Sequence, residues 1–250
     1  MARRRFFVPK HAIQNDIAYL PPDQTHHLRD VLRIGAGEIV EIFDGEGSGY
    51  TGIVDFNDSG VTVHSLQRIF SPQSRVPLIL AAALIKPSKF EWILQKSTEL
   101  GVHEIIPMIT RRCNLRISQD RIKLKFERWS RIVNEASRQC GRYTAPRIQE
   151  SMSYEDILCR KKLDGFSKFL FYENIGVLWQ PDILKPLPKG IVIFIGPEGG
   201  WEDGEIEQAA RAGIHISSLG PWTLRAETAA VAAVSIVQYH INRNNVKQAN

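Results

Sequence analysis

The run from Ile191 to Ala233 constrains this chain most. Five apolar residues, Ile191 to Ile195, read as a strand buried on both faces. They stop at Gly196-Pro197-Glu198-Gly199-Gly200, and a helix with polar start signals follows over about 202–212. A second short strand, His215 to Leu219, stops at Gly220-Pro221. Leu224-Arg225-Ala226-Glu227-Thr228 then leads into an Ala/Val-rich helix that runs to about Asn242. Glycine at a strand end lets backbone N–H groups approach a ligand closely. Two strand ends broken in this way, each followed by a helix, describe a ligand site at the C-terminal edge of a sheet. A tight turn is the competing reading of the first glycine loop taken alone. Standard nucleotide loops are excluded, because neither G-x-x-x-x-G-K-[ST] nor G-x-G-x-x-G occurs.

Upstream, strand and helix alternate. Leu78 to Leu84 is an apolar strand, and Ser88 offers an N-cap for a helix carrying Phe90, Ile93, Leu94 and Leu100, which Gly101 ends. Ile105 to Ile109 is the next strand. A long helix from about Ser118 to Cys140 sets Ile122, Phe126, Trp129, Val133 and Ala136 on one face. Lys168 to Tyr172 is a further strand, ending in Glu173-Asn174. This alternation predicts an α/β domain built on a mostly parallel sheet. Residues 1 to about 70 differ. They show short alternating strands at Arg5 to Val8, Val40 to Phe43, Gly52 to Phe56 and Val61 to His64, with a helix around Asp23 to Leu32, which is a small β-barrel pattern. Ser71 to Pro77 is polar and twice broken by proline, so the boundary is expected here, dividing the chain into 1–72 and 73–250.

Charge points to the partner. The formal net charge is only +5, but 11 Lys or Arg against 3 Asp or Glu fall between Arg111 and Arg147, leaving the remainder net negative. Charge gathered in this way suits a polyanion. Arg121, Lys125, Arg128, Arg131 and Arg138 share a face of the long helix, with Arg142 just beyond it. Contact with RNA phosphates is the functional reading of that face and a solvated surface the bland one. Arg29 and Arg33, four residues apart, are expected on one helix face with the same two readings. His26-His27 have no further ligand cluster nearby, so they read as packing or RNA-facing residues rather than metal ligands. Cys113, Cys140 and Cys159 offer no zinc spacing and fit a reducing cytoplasm. No apolar run reaches the roughly 18 residues of a membrane span. The basic start, Met1 to Arg5, has no apolar region after it and is not expected to be a signal peptide.

The segment IGPEGG (195–200) with LGPWTLRAETA (219–229) resembles the C-terminal signature of the SPOUT methyltransferases. RRRFFV (3–8), HHLRDVLRIGAGEIVEIFDGEG (26–47), LQKSTELGVHEIIPMITRRC (94–113) and RWSRIVNEASRQCGR (128–142) extend the likeness over nearly the whole chain. They narrow it to the bacterial family that methylates N3 of a uridine in 16S rRNA. The departures are Trp222, Thr223 and Ala226, where the family usually has Arg, Ile or Val, and Thr.

The resemblance implies a SPOUT-type α/β domain with a trefoil knot and an N-terminal PUA-like barrel. It implies S-adenosylmethionine bent among three loops and 16S rRNA as partner, within the assembled small ribosomal subunit at its decoding region. It also implies a homodimer with the last helix, Thr228 to Ile241, at or near the interface. By position, the first loop brings Leu170 and Glu173 to the donor; the second brings Ile195, Gly196, Pro197, Glu198, Gly199 and Gly200. The third brings Leu219, Gly220, Thr223, Leu224 and Thr228. Arg225 is the candidate for stabilising the uridine anion. Glu198 and Glu227 are candidates for orienting it, taking the proton through water, or countering the sulfonium. Either glutamate could instead cap a helix. A non-catalytic ribosome-assembly factor, a nucleotide-dependent oxidoreductase, and a methyltransferase acting on ribose or on another rRNA or tRNA position are the alternatives.

Overall fold

The computed structural model describes residues 4–57, 60–69, 76–113 and 119–249, with side chains from 125 to 244 in the last stretch. The expected linker at 71–75, the helix start at Ser118 and the side chains of Arg121 and Ile122 lie outside the described residues. Two compact units emerge, one of 1–73 with 134–145, the other of 74–133 with 146–250.

In the first unit, β1 (Arg5–Phe7), β2 (Ile13–Gln14), β3 (Ile17–Tyr19), β4 (Ile39–Phe43), β5 (Gly49–Asn57) and β6 (Gly60–Ile69) form one sheet. Its order is β1-β4-β5-β6-β3-β2, curled into a half-barrel. Only β1 and β4 pair in parallel. Phe6, Val8, Ile42, Val54 and Val63 are at most 1% exposed and fill the concave side. Leu28 joins them from a helical segment in which α1 (Pro22–His26) runs into a turn of π-helix, His27–Val31.

That wider turn corrects one expectation. Arg29 and Arg33 do not share a helix face, because the helix has ended before Arg33, which takes a left-handed φ of 51°. The Ile34 N–H then returns to the Leu28 carbonyl at 3.1 Å, and both side chains enter the core. Burial of this apolar pair outweighs continuing the helix.

The second unit is a seven-stranded sheet in which every pairing is parallel. Its elements are β7 (Leu78–Ala83), α2 (Pro87–Glu99), β8 (Glu104–Ile109), the part of α3 (Gln119–Cys140) up to Val133, β9 (Arg147–Ile148), β10 (Met152–Ser153) and α4 (Tyr154–Leu158), while α3 from Asn134 on belongs to the first unit. They continue with β11 (Ser167–Phe171), β12 (Ile191–Ile195), α5 (Asp203–Arg211), β13 (His215–Ser217) and α6 (Ala226–Ala249). Strand order is β10-β8-β7-β12-β11-β13, with β9 also on β8. Every residue of β7 and β12 is buried, which is why both read as unbroken apolar runs rather than alternating ones.

The helices follow from their stripes and caps. Phe90, Ile93, Leu94 and Ser97 make the buried face of α2. Ser88 is not its N-cap. Pro87 takes the first helical position, where its missing N–H costs nothing, and Lys86 precedes it. Gly101, at φ 95°, closes the other end. Reciprocal bonds between Glu202 and Glu205 cap α5. In α6, Ala230, Ala233, Val234, Val237 and Ile241 are buried, whereas Ile236 and Tyr239 are 38% and 63% exposed.

A glycine tests the curl of the first sheet. The β5–β6 register shifts between Thr51 and Ile53. A Cβ on Gly52 would lie 2.6 Å from Val63 Cγ1 and 2.8 Å from both the His64 carbonyl oxygen and Leu66 Cδ2. Gly52→Ala is expected to cost about 1–3 kcal/mol through overpacking. Urea unfolding measures it, and an unchanged midpoint would show that the neighbours yield freely.

Candidate active site

β11 and β12 run side by side with Phe171 level with Ile195, so both strand ends open on one edge of the sheet. The chain leaving β12 turns sharply: the Gly200 N–H donates to the Pro197 carbonyl at 3.0 Å. Gly200 takes a φ of 72°, which a side chain would strain. The chain leaving β13 reaches α6, where the Arg225 carbonyl accepts the Ala229 N–H at 2.8 Å. The free N–H groups of the first turn of α6 thus bring the positive end of the helix to this edge.

These walls enclose a cleft of about 310 Å³. Glu173, Ile195, Gly196, Pro197, Glu198, Gly200, Thr223, Leu224 and Arg225 line it, together with Lys89, Phe171, Trp201, Ala226 and Ala229. Trp201 is only 3% exposed, and its Nε1 donates to the Phe171 carbonyl at 3.0 Å. That bond ties the loop after β12 to the end of β11. Gly196 makes room for it, since a Cβ there would stand 2.8 Å from Trp201 Nε1.

Lys89, from the first turn of α2, was not foreseen in the sequence. Its Nζ donates to Glu198 Oε1 at 2.5 Å and lies 3.3 Å from Glu227 Oε1. The hydrogen bond to Glu198 is the main cause that raises the Lys89 pKa above the ordinary lysine value; partial desolvation opposes it, and Glu227 adds to it. Lys89 is therefore charged at neutral pH. Glu227 stands behind it and does not line the cleft. The Glu227 Oε2 is buried with no hydrogen-bond partner among the described residues. The expectation that a glutamate orients Arg225 is not met, because Lys89 takes both carboxylates. Arg225 is exposed, and its guanidinium has no partner among the described residues.

The other candidates are dispersed. Leu170 is fully buried in the core, and the cleft wall at that strand end is Phe171. Gly199 backs onto Arg112, whose Nη1 donates to its carbonyl at 3.0 Å. Leu219 lines a smaller adjoining cavity of about 40 Å³ with Tyr172, Ser218 and Trp222. Gly220 and Thr228 line neither space. Among the basic candidates, Arg128 grips Glu91 at 2.5 and 2.8 Å, and Lys125 lies beside it. Arg138 sits over the Phe7 ring, 4.2 Å from its centroid. The Arg142 Nε donates to the Thr144 carbonyl at 3.2 Å. Arg29 pairs with Asp30 at 3.1 Å, and Arg33 is exposed. His26 bonds Asp30 at 2.7 Å, while His27 packs edge-on against Phe6.

Residues 72–238 match the RNA methyltransferase domain, and residues 20–58 match the RNA methyltransferase PUA domain. Ribosomal RNA small subunit methyltransferase E of Synechocystis is 34% identical over 247 residues, covering 94% of this chain and 77% of its own. The Bacillus subtilis protein of the same name is 31% identical over 228 residues, covering 87% and 88%. The crystal structure of the Neisseria gonorrhoeae protein of that name, bound to S-adenosyl methionine, matches with a TM-score of 0.77 at 30% identity and covers 95% of this chain and 97% of its own. The domain match spans both the parallel sheet and its cleft, and the relatives align over most of their length. The chain therefore belongs to the ribosomal RNA small subunit methyltransferase E family.

Proposed function

We propose that this chain is an S-adenosylmethionine-dependent methyltransferase that modifies N3 of a uridine in 16S rRNA, at the decoding region of the small ribosomal subunit. The observation that carries the reading is the cleft itself: an arginine with no partner among the described residues and a lysine-held carboxylate on a wall of glycine backbone. The cleft suits the donor. Glu173 and Glu198 offer negative charge to a sulfonium, while Phe171, Leu224, Ala226 and Ala229 offer apolar contact. When bound, S-adenosylmethionine supplies an electrophilic methyl group on a positively charged sulfur.

Holding the acceptor in line and charging it is left to the protein. N3 of uracil lies in the base plane and is not nucleophilic until its proton leaves to solvent water; the methyl group then passes from sulfur to N3 and S-adenosylhomocysteine departs. Arg225, beside O2 or O4, stabilises the deprotonated base. Lys89 fixes Glu198 in one position, and Glu227 holds Lys89 from behind. With its carboxylate engaged by a lysine, Glu198 serves better to counter the sulfonium than to carry the proton away. No cysteine is required, because attack at a nitrogen needs no covalent adduct on the base. N3 is also a Watson–Crick position, so the uridine must be unpaired or extruded.

Lys125, Arg128 and Arg131 belong to the RNA-gripping face in this reading. A trefoil-threaded chain after Gly220 and a homodimer complete the SPOUT picture. Exposed Ile236 and Tyr239 on α6 support the dimer, as does exposed Ile183 on the 3-10 turn packed against that helix. Among the described residues, no helix is long and apolar enough to cross a membrane; in this reading the enzyme works in the cytoplasm, beside its RNA.

Three measurements bear on this. Gly196→Ala pushes on Trp201 and should weaken S-adenosylmethionine binding in calorimetry by about tenfold or more, since overpacking of about 1–3 kcal/mol falls on the cleft wall. Unaltered affinity in a folded variant would remove this loop from the donor site. Arg225→Ala should slow single-turnover transfer by about 10²–10³ while donor and RNA binding persist. Raising the pH should recover part of the loss, because more uridine then ionises unaided. A normal rate at saturating RNA would make Arg225 structural. Sedimentation at micromolar concentration should give a species heavier than the 28.3 kDa monomer; the monomer alone refutes the dimer.

A further inference from the structure

The second unit holds another concavity that methyl transfer leaves unused. It lies between the start of α2 and the first described side chains of α3, and at about 410 Å³ it exceeds the donor cleft. Its floor is Leu84, Ile85, Phe90 and Trp129, each at most 5% exposed. Phe90 and Trp129 pack with centroids 4.8 Å apart. Lys125 and Arg128 stand at its rim. Glu91 takes one edge of the Arg128 guanidinium through two bonds. Among the described residues nothing else takes its flat face or remaining donors, on a side chain that is 65% exposed.

We infer that this groove receives an unstacked nucleobase of the RNA, a neighbour of the methylated nucleotide, with its phosphate on Lys125 and Arg128. The inference rests on the RNA methyltransferase reading above and adds a subsite to it. An aromatic and apolar floor beneath cations is what holds a base and its backbone together. The volume falls within the range of small-ligand sites. Its place in the fold supplies the rest. Leu84 and Ile85 directly follow β7, whose partner β12 ends in the donor cleft. Pro87 and Ser88 line the groove, and the next residue, Lys89, lines the cleft. Paired strands lie about 4.8 Å apart, so a strand with its target uridine at the donor brings an adjacent nucleotide to the groove. Sequence preference around the target would then be set here.

Ser88→Trp tests it, because Ser88 is exposed at the second helical position and a large side chain there plugs the groove. The probe is small ribosomal subunits isolated from cells lacking the enzyme. S-adenosylmethionine affinity should stay at the wild-type value, while affinity for the subunits falls about tenfold, as expected for one lost stacked base. Arg128→Ala should weaken the same binding and flatten its salt dependence. Abasic residues are then stepped through the RNA of reconstituted subunits. At one position beside the methylated uridine, removing the base should cost the wild type about tenfold and the Ser88→Trp variant nothing further. Wild-type affinity in Ser88→Trp, or the absence of any position whose cost vanishes, overturns the subsite. If the wild type transfers no methyl group to the subunits but shows this coupling, the functional reading fails and the groove stands.

Discussion

The ladder that pairs β12 with β7 on one side and β11 on the other holds the catalytic unit together. It runs Ile191 to Ile195 against Leu78 to Ala82 and against Ser167 to Phe171 without a register break. In a parallel sheet the strand ends of one sense fall on one edge, so three loops of distant sequence meet there. Every residue of β12 is buried, which fixes the strand on both faces and leaves only its C-terminal end free to build a site. The glycines after Ile195 follow from that. The backbone, more than side chains, must form the wall of the cleft, and Trp201 must fold back beneath it.

Electrostatics then divides the cleft into two kinds of cation. Lys89 is committed to two carboxylates, and Arg225 is committed to none among the described residues. A lysine held in this way organises charge that is already present. An arginine left uncommitted can meet charge that develops during reaction, which is where a preorganised donor is most effective. In the proposed mechanism, the positive end of α6 at the same edge works with the arginine rather than with the lysine.

Much of this was legible in the sequence because the relevant residues are adjacent in it. Both apolar strands, the glycine loops and the long α3 announce themselves by composition and period, and the motif order carried the family. Strands of two or three residues, such as Ile13–Gln14 and Met152–Ser153, are too short to show a period. Lys89 was missed for a different reason: its partner Glu198 is 109 residues away, and a lysine in the first turn of a helix looks like ordinary surface. Arg33 was misplaced because the helical segment ends at a π turn before reaching it, and its left-handed φ turns the chain away. Ser88 was misread as a cap because the adjacent proline was the stronger helix start.

The long reach of the β7–β12 ladder also sets an order in time. At ribosomal speeds of about 5–20 residues per second, on the order of ten seconds separate the emergence of Leu78 from that of its partner Ile191. Through that interval the nascent chain carries an apolar strand with one bare edge, open to wrong pairing. Lys89 likewise waits without Glu198. The cleft has no partial form that could act early, so an rRNA-modifying enzyme of this design becomes competent only after α6 has been made.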